Sequence, residues 1–233
     1  MSVHNTTYMV AGSKSWNRQV FDDIISNYPG QWIFGSCSEQ LTIETLQQIN
    51  PRFIFFLHWS WKVPDELINH YECICFHMTD VPYGRGGSPL QNLIIRGHES
   101  TKLTALRMTQ DFDAGPVYFK EDLCLAGNAE EIYIRATHLS AKMIGRIIQE
   151  QPEPLPQTGE VTNFKRRKPD HSEIPQVPSL QNLHDFIRML DAEGYPKAFI
   201  EHKGFRYEFS RAAFYDGRIV ADVKITPVQE PPV

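Results

Sequence analysis

His77 and Asp113 are the residues of this chain whose types and settings suit proton transfer. His77 ends the apolar run Cys73-Ile74-Cys75-Phe76 and opens into Met78-Thr79-Asp80-Val81-Pro82-Tyr83-Gly84-Arg85-Gly86-Gly87-Ser88-Pro89. Asp113 lies in a second glycine-bearing turn, Asp111-Phe112-Asp113-Ala114-Gly115. An ordinary histidine titrates near ~6.5 and can accept or give a proton at neutral pH. A carboxylate beside it can orient the ring and balance its charge. Taken singly, each has a plainer reading. A lone histidine at a strand end is usually a satisfied polar residue, and an aspartate two before a glycine is an Asx-turn residue. Convergence of the two loops is what acid–base chemistry requires.

The elements that must position this pair follow from hydrophobic periodicity. Tyr8–Gly12, Trp32–Phe34, Phe53–Leu57 and Ile74–His77 read as short apolar strands. Between them, Ser15–Tyr28, Thr42–Asn50 and Pro64–His70 read as helices, the second stopped by Pro51. The β-α alternation predicts a Rossmann-like α/β fold: a mostly parallel sheet with helices on both faces. Ligands of such sheets gather at the carboxyl ends of strands, where His77 falls. Pro89–Gly97 reads as a helix with Ser88 as N-cap. Lys102–Thr109 and Val117–Asp122 read as antiparallel strands flanking the Asp113 turn. Asn128–Gln149 is the longest helix, with Ile132, Ala136, Leu139, Met143 and Ile147 on one apolar stripe. After a proline-rich passage, Ser179–Leu190 reads as a helix and Lys197–Ile225 as a β-hairpin turning at Asp216-Gly217. The expected organisation is a catalytic core over 1–150, a linker with a basic segment over 151–178, and a small C-terminal helix/β-hairpin subdomain over 179–233.

Composition narrows the function. The formal charge of −5 argues against a general nucleic-acid binder, which would show a basic face. Cys37, Cys73, Cys75 and Cys124 form no CxxC pair and read as reduced apolar fillers. The histidines show no metal-ligand spacing, so no metal is expected. No signal peptide or membrane span is seen, which makes the cytoplasm the default and excludes a membrane partner.

The run of His77, Thr79, Pro82, Arg85-Gly86 and Pro89 resembles the signature of the formyltransferase family that uses 10-formyltetrahydrofolate. That pattern is Asn-x-His, then a hydroxyl residue, Pro, Arg-Gly and Pro. Phe112-Asp113-Ala114-Gly115 is similar to the family's later Leu-Asp-x-Gly turn, and Gly97 and Thr104 fall in step. The resemblance spans about residues 50 to 120 and continues weakly to about residue 200. The segment Phe164-Lys165-Arg166-Arg167-Lys168-Pro169-Asp170, followed by Ile174, resembles a stretch found after the core in sugar N-formyltransferases.

The resemblance implies specific roles. His77 and Asp113 would be catalytic. The co-substrate would be 10-formyltetrahydrofolate, bordered by Trp61, Lys62, Val63, Pro82, Asp111 and Asp113. Thr79, Tyr83, Arg85, Gly86, Gly87, Arg166 and Arg167 would face the acceptor. Cys75 stands where the family places an asparagine whose amide polarises the formyl oxygen. A thiol donates poorly, and loss of one such donor typically costs about a hundred- to a thousandfold in rate. Protonated His77, a main-chain N–H or a nearby side chain would have to serve instead.

The resulting expectation is a sugar N-formyltransferase acting on a nucleotide-linked amino sugar, with no nucleic-acid partner and a homodimer left open. A transfer-RNA formyltransferase would be expected to carry a larger, basic C-terminal barrel. Other amine acceptors, glycinamide ribonucleotide among them, and a degenerate non-catalytic folate- or nucleotide-binding module are the alternatives.

Overall fold

The computed structural model describes residues 6–228. They divide into two compact units: residues 6–86, 101–123 and 133–163 form the first, and residues 87–100, 124–132 and 164–228 the second.

The first unit is built on a six-stranded sheet in the order β2-β1-β3-β4-β6-β7. Its strands are β1 (Thr7–Gly12), β2 (Gln31–Gly35), β3 (Phe53–Leu57), β4 (Cys73–His77), β6 (Ser100–Arg107) and β7 (Val117–Cys124). β1 pairs in parallel with β2 and β3, and β3 with β4; β6 then runs antiparallel to β4. All five residues of β3 are buried, as a central strand covered on both faces must be. Met9, Ala11, Ile54, Phe56 and Cys73 point to one side, where they pack with Leu46 of α2 (Ile43–Ile49), Leu67 of α3 (Asp65–His70) and Val63. Thr42 caps α2 by accepting from the Thr45 N–H, and Asn50 ends it in the left-handed region.

Helix α1 (Ser15–Asp23) is shorter than the periodicity predicts and gives way to a 3₁₀ turn over Ile25–Asn27. Ser26 and Asn27 donate to the Asp22 and Asp23 carbonyls, so side chains compete for the acceptors of the last helical turn. Helix α5 (Ala129–Glu150) buries Ile132, Ala136, Met143 and Ile147, the expected stripe, with Leu139 half-buried.

The second unit holds α4 (Pro89–Ile95), α6 (Leu180–Arg188) and an antiparallel sheet of three strands, β9 (Ala198–His202), β10 (Phe205–Tyr215) and β11 (Arg218–Pro227), with β10 central. The expected hairpin at Asp216-Gly217 is present, but a second tight turn at Lys203-Gly204 adds a third strand. Both residues of that turn have positive φ (49° and 79°), the conformation of a two-residue hairpin turn. Ser88 occupies the N-cap position of α4 but does not cap it: it sits at φ 51°, and its hydroxyl instead accepts the Arg167 N–H. Short strands β5 (Arg85–Gly86) and β8 (Asn163–Phe164), with 3₁₀ turns over Ser38–Gln40 and Pro169–Ser172, complete the secondary structure of the described residues. Among the described residues, no helix is long and apolar enough to cross a membrane.

Candidate active site

β4 delivers His77 to its carboxyl end, where the residue is 8% exposed. Nε2 lies 2.8 Å from the Gly84 carbonyl oxygen. A carbonyl only accepts, so this nitrogen carries a hydrogen. Nδ1 faces Asp113 Oδ1 at 3.5 Å. The ring is therefore held between two oxygen acceptors, and a proton on the Nδ1 side has a carboxylate to meet.

The loop after β4 is shaped to make this grip. Gly84 has φ 75° and Gly86 φ 100°, conformations that glycine adopts without strain. Thr79, fully buried, also donates to the Gly84 carbonyl, at 3.2 Å, and its own carbonyl accepts the Thr104 hydroxyl at 2.7 Å. The Val81–Pro82 peptide is cis. Lys120 holds this stretch by donating to Asp80 and to the Val81 carbonyl, each at 2.5 Å.

Asp113 stands at φ 54°, in the left-handed region. Its second oxygen accepts the Gly86 N–H at 2.9 Å, so the carboxylate bridges the two loops. Gln157 fastens the turn from outside: its amide nitrogen donates to the Asp113 and Gly115 carbonyls, both at 2.8 Å. Its carbonyl in turn accepts Arg85 Nε at 3.0 Å and Nη2 at 2.8 Å.

An open cleft with about 370 Å³ of empty space adjoins the pair; Asp113, Cys75, Leu106, Met108, Val63 and Phe112 are among its walls. Burial pushes the Cys75 thiol well above its usual range, and the Asp113 carboxylate and Cys73 push it further the same way. Cys75 is thus a neutral thiol, unsuited to nucleophilic attack. Its walls mix apolar side chains with the charged Lys62, Asp65 and Asp113, the kind of lining that suits a flat, partly polar heterocycle.

Of the residues expected to border the donor, Lys62, Val63 and Asp113 line this cleft. Trp61 is 46% exposed beside Trp59, ring centroids 4.8 Å apart. Lys62 pairs with Asp65 at 3.4 Å. The Pro82 carbonyl accepts the Thr162 N–H, and the Asp111 carbonyl accepts the Thr109 hydroxyl. Among the residues expected to face the acceptor, Thr79, Tyr83, Arg85 and Gly86 belong to the first unit, whereas Gly87, Arg166 and Arg167 belong to the second. Arg85 is committed to Gln157, and Tyr83 donates its N–H to Asp80. Within the second unit the Arg167 guanidinium lies over the Phe186 ring and donates to the His171 carbonyl. Arg166 lies against Gly87, where an added Cβ would meet its side chain at 2.5 Å. Among the described residues no cluster could hold a metal ion.

Sequence reasoning missed Met108, Leu106 and Gln157. The first two follow strand alternation at the end of β6. Gln157 sits in a proline-rich stretch without periodicity and carried no signal.

An open α/β sheet with a largely buried histidine–carboxylate pair at a strand's carboxyl end, beside a partly apolar cleft, offers a geometry suited to proton transfer to a bound ligand. The comparisons give it a family. The chain is 44% identical to a methionyl-tRNA formyltransferase structure from Clostridium thermocellum, covering 96% of this chain and all of that one, with a TM-score of 0.90. It is 26% identical over 154 residues to the methionyl-tRNA formyltransferase of Thermodesulfovibrio yellowstonii, 63% of this chain and 50% of that protein. Residues 169–226 match the model described as the methionyl-tRNA formyltransferase C-terminal domain. The chain belongs to the formyltransferase family. It spans about half the length of the curated relatives it matches.

Two expectations are thereby corrected. A 4-N formyltransferase from Francisella tularensis matches at 16% identity, covering 99% of this chain and all of that one with a TM-score of 0.67, and so shares the fold alone. The amino-sugar partner and the exclusion of a nucleic-acid partner are overturned by the relatives named for methionyl-tRNA. The C-terminal segment that looked too small for a tRNA formyltransferase matches that domain's model over residues 169–226, and it folds as three strands and a helix rather than a lone hairpin. Overall charge misled here, since a net value says little about how charge is placed.

Proposed function

We propose that this protein transfers a formyl group from 10-formyltetrahydrofolate to the amino group of an aminoacyl-tRNA, methionyl-tRNA being the first acceptor to test. The observation that carries the reading is the His77–Asp113 pair, 3.5 Å apart beside the cleft. The family supports the donor, and the relative at 44% identity supports the acceptor.

The donor supplies an activated formyl carbon. In the reaction the acceptor nitrogen bonds to that carbon, the bond from the carbon to the folate N10 breaks, the amine loses a proton and N10 gains one. His77 is suited to carry that proton on Nδ1, with Asp113 stabilising the charged ring. Negative charge develops on the formyl oxygen during attack. Cys75, a neutral thiol, offers that oxygen only a weak donor. The neighbouring ring and main-chain N–H groups are left to supply the rest. Val63, Leu106 and Met108 would hold the pteridine and keep water from the reacting carbon.

The test is single-turnover transfer of labelled formyl from 10-formyltetrahydrofolate to methionyl-tRNA, with uncharged tRNA and free methionine as controls. Labelled formyl-methionyl-tRNA is expected. Donor consumption without acylated product, or no consumption at all, would overturn the reading.

A further inference from the structure

We propose that Gln157 is a positioning residue that sets the carboxylate of Asp113 against His77, coupling it to Arg85; for its rate readout this rests on the formyl-transfer reading. The hydrogen-bonding capacity of the Gln157 side chain is completely used. An amide oxygen has two lone pairs and an amide nitrogen two hydrogens. Here Oε1 receives both Arg85 Nε and Nη2, and Nε2 reaches both the Asp113 and the Gly115 carbonyls. Its orientation is unambiguous: a guanidinium can only donate, and backbone carbonyls can only accept.

The restraint falls where it matters. Asp113 is a non-glycine residue at φ 54°, a conformation that must be held by its surroundings. The two carbonyls that Gln157 grips belong to Asp113 itself and to the residue two further on, so they fix the plane of the turn and the direction in which the carboxylate leaves it. Arg85, the other end of the clamp, donates its own N–H to the Thr162 carbonyl at 2.9 Å. Its neighbour Gly86 donates to Asp113 Oδ2. The loop carrying Gly84, which grips His77 Nε2, and the turn carrying Asp113, which faces Nδ1, are thus tied through one side chain. Two of the five guanidinium N–H donors of Arg85 are engaged by this amide oxygen.

Gln157→Glu and Gln157→Leu separate this role from simple bracing. Glutamate keeps an acceptor for Arg85 but turns its second oxygen toward two carbonyl oxygens. Leucine removes both contacts. If Gln157 positions Asp113, both variants lose between about tenfold and a hundredfold in kcat, the range that misplacement of a reacting group by an ångström or less produces. Neither should add to the loss already caused by Asp113→Asn, because the double variants have nothing further to misplace. Near-wild-type kcat in Gln157→Glu, or losses that multiply with Asp113→Asn, would overturn the proposal.

A second readout needs no turnover. The ¹⁵N resonances of the His77 ring are recorded for wild type, Asp113→Asn, Gln157→Leu and Gln157→Glu. The Gln157 variants should move the Nδ1 resonance toward its position in Asp113→Asn. An unmoved resonance in a variant that melts like wild type would overturn the inference. Should Gln157→Leu fail to fold, Gln157→Glu carries both measurements. If wild type shows no formyl transfer, the functional reading falls, and the resonances still decide the role of Gln157.

Discussion

Gly115 lies so close to the Arg107 carbonyl that the turn admits no side chain: a Cβ there would come within 1.8 Å of that oxygen. The carbonyl belongs to the last residue of β6, whose N–H is bonded to the Pro116 carbonyl at 2.9 Å. Neither partner can yield without breaking the strand end. Gly115→Ala should therefore cost about 1–3 kcal/mol of stability, as overpacking of a tight site does. It should also displace Asp113 two residues away. Denaturant unfolding and kcat check the two parts, and a variant with wild-type stability would show that the turn is looser than this contact implies.

His77→Ala and Asp113→Asn should each lower kcat for formyl transfer by about a hundredfold or more, the contribution expected of positioned acid–base groups. Asp113→Asn is the gentler change. Asparagine tolerates the left-handed backbone and can still accept the Gly86 N–H. Its fold should survive, so the loss would report on charge. A kcat within threefold of wild type in either variant, measured under saturating donor, would remove the pair from the chemistry.

What the sequence revealed and what it hid divide along contact range and periodicity. The β-α rhythm, the fully apolar β3 and the helix-stopping Pro51 after α2 are local signals, and the sheet follows them. The approach of His77 to Asp113 was legible because each sits in a glycine-marked loop at a strand end. Gln157 was not, because its partners lie 44, 42 and 72 residues away and nothing local marks it. The third C-terminal strand was missed although Lys203-Gly204 is a turn signal, since β9 alternates too briefly to stand out from its neighbours. The amino-sugar reading leaned on the basic segment around Arg166-Arg167 and on net charge, and neither describes how charge and shape are arranged on a surface.

Cys75 should be chemically quiet. Burial, Asp113 and Cys73 all raise its thiol's titration above the ordinary range, so it stays protonated through neutral and mildly alkaline pH. Iodoacetamide at pH 8 should label exposed Cys124 well before Cys75. Cys75→Ala should keep at least about a tenth of wild-type kcat, since a thiol is a weak donor to the formyl oxygen and little is lost with it. Cys75→Asn introduces a larger amide beside Leu106 and Met108 and should destabilise through overpacking. A thousandfold loss in Cys75→Ala, in protein that melts normally, would show instead that the thiol takes part in the reaction.

His58 gives the first unit an acid sensitivity with a defined direction. It follows β3 at φ 48°, with its ring 4.2 Å from the Tyr133 centroid and 6.3 Å from that of Trp16. Burial, with the nearby charge of Lys14 acting in the same sense, lowers its pKa to about 4. The unfolded chain takes up the proton near pH ~6.5, whereas the folded chain resists until about pH 4. Between those values the unfolded state binds more protons, so stability rises with pH across the window and is lost as pH falls through it. The full span corresponds to at most about 3 kcal/mol. His58→Asn tests this, because asparagine accepts the left-handed backbone and carries no charge at any pH. At pH 7 the variant should be less stable, having lost the ring contacts. Its deficit relative to wild type should shrink steadily from pH 6.5 to pH 4.5, because only the wild type pays the cost of excluding a proton. A stability difference that stays constant over that range, in unfolding curves at matched ionic strength, would show that His58 does not resist protonation in the folded protein.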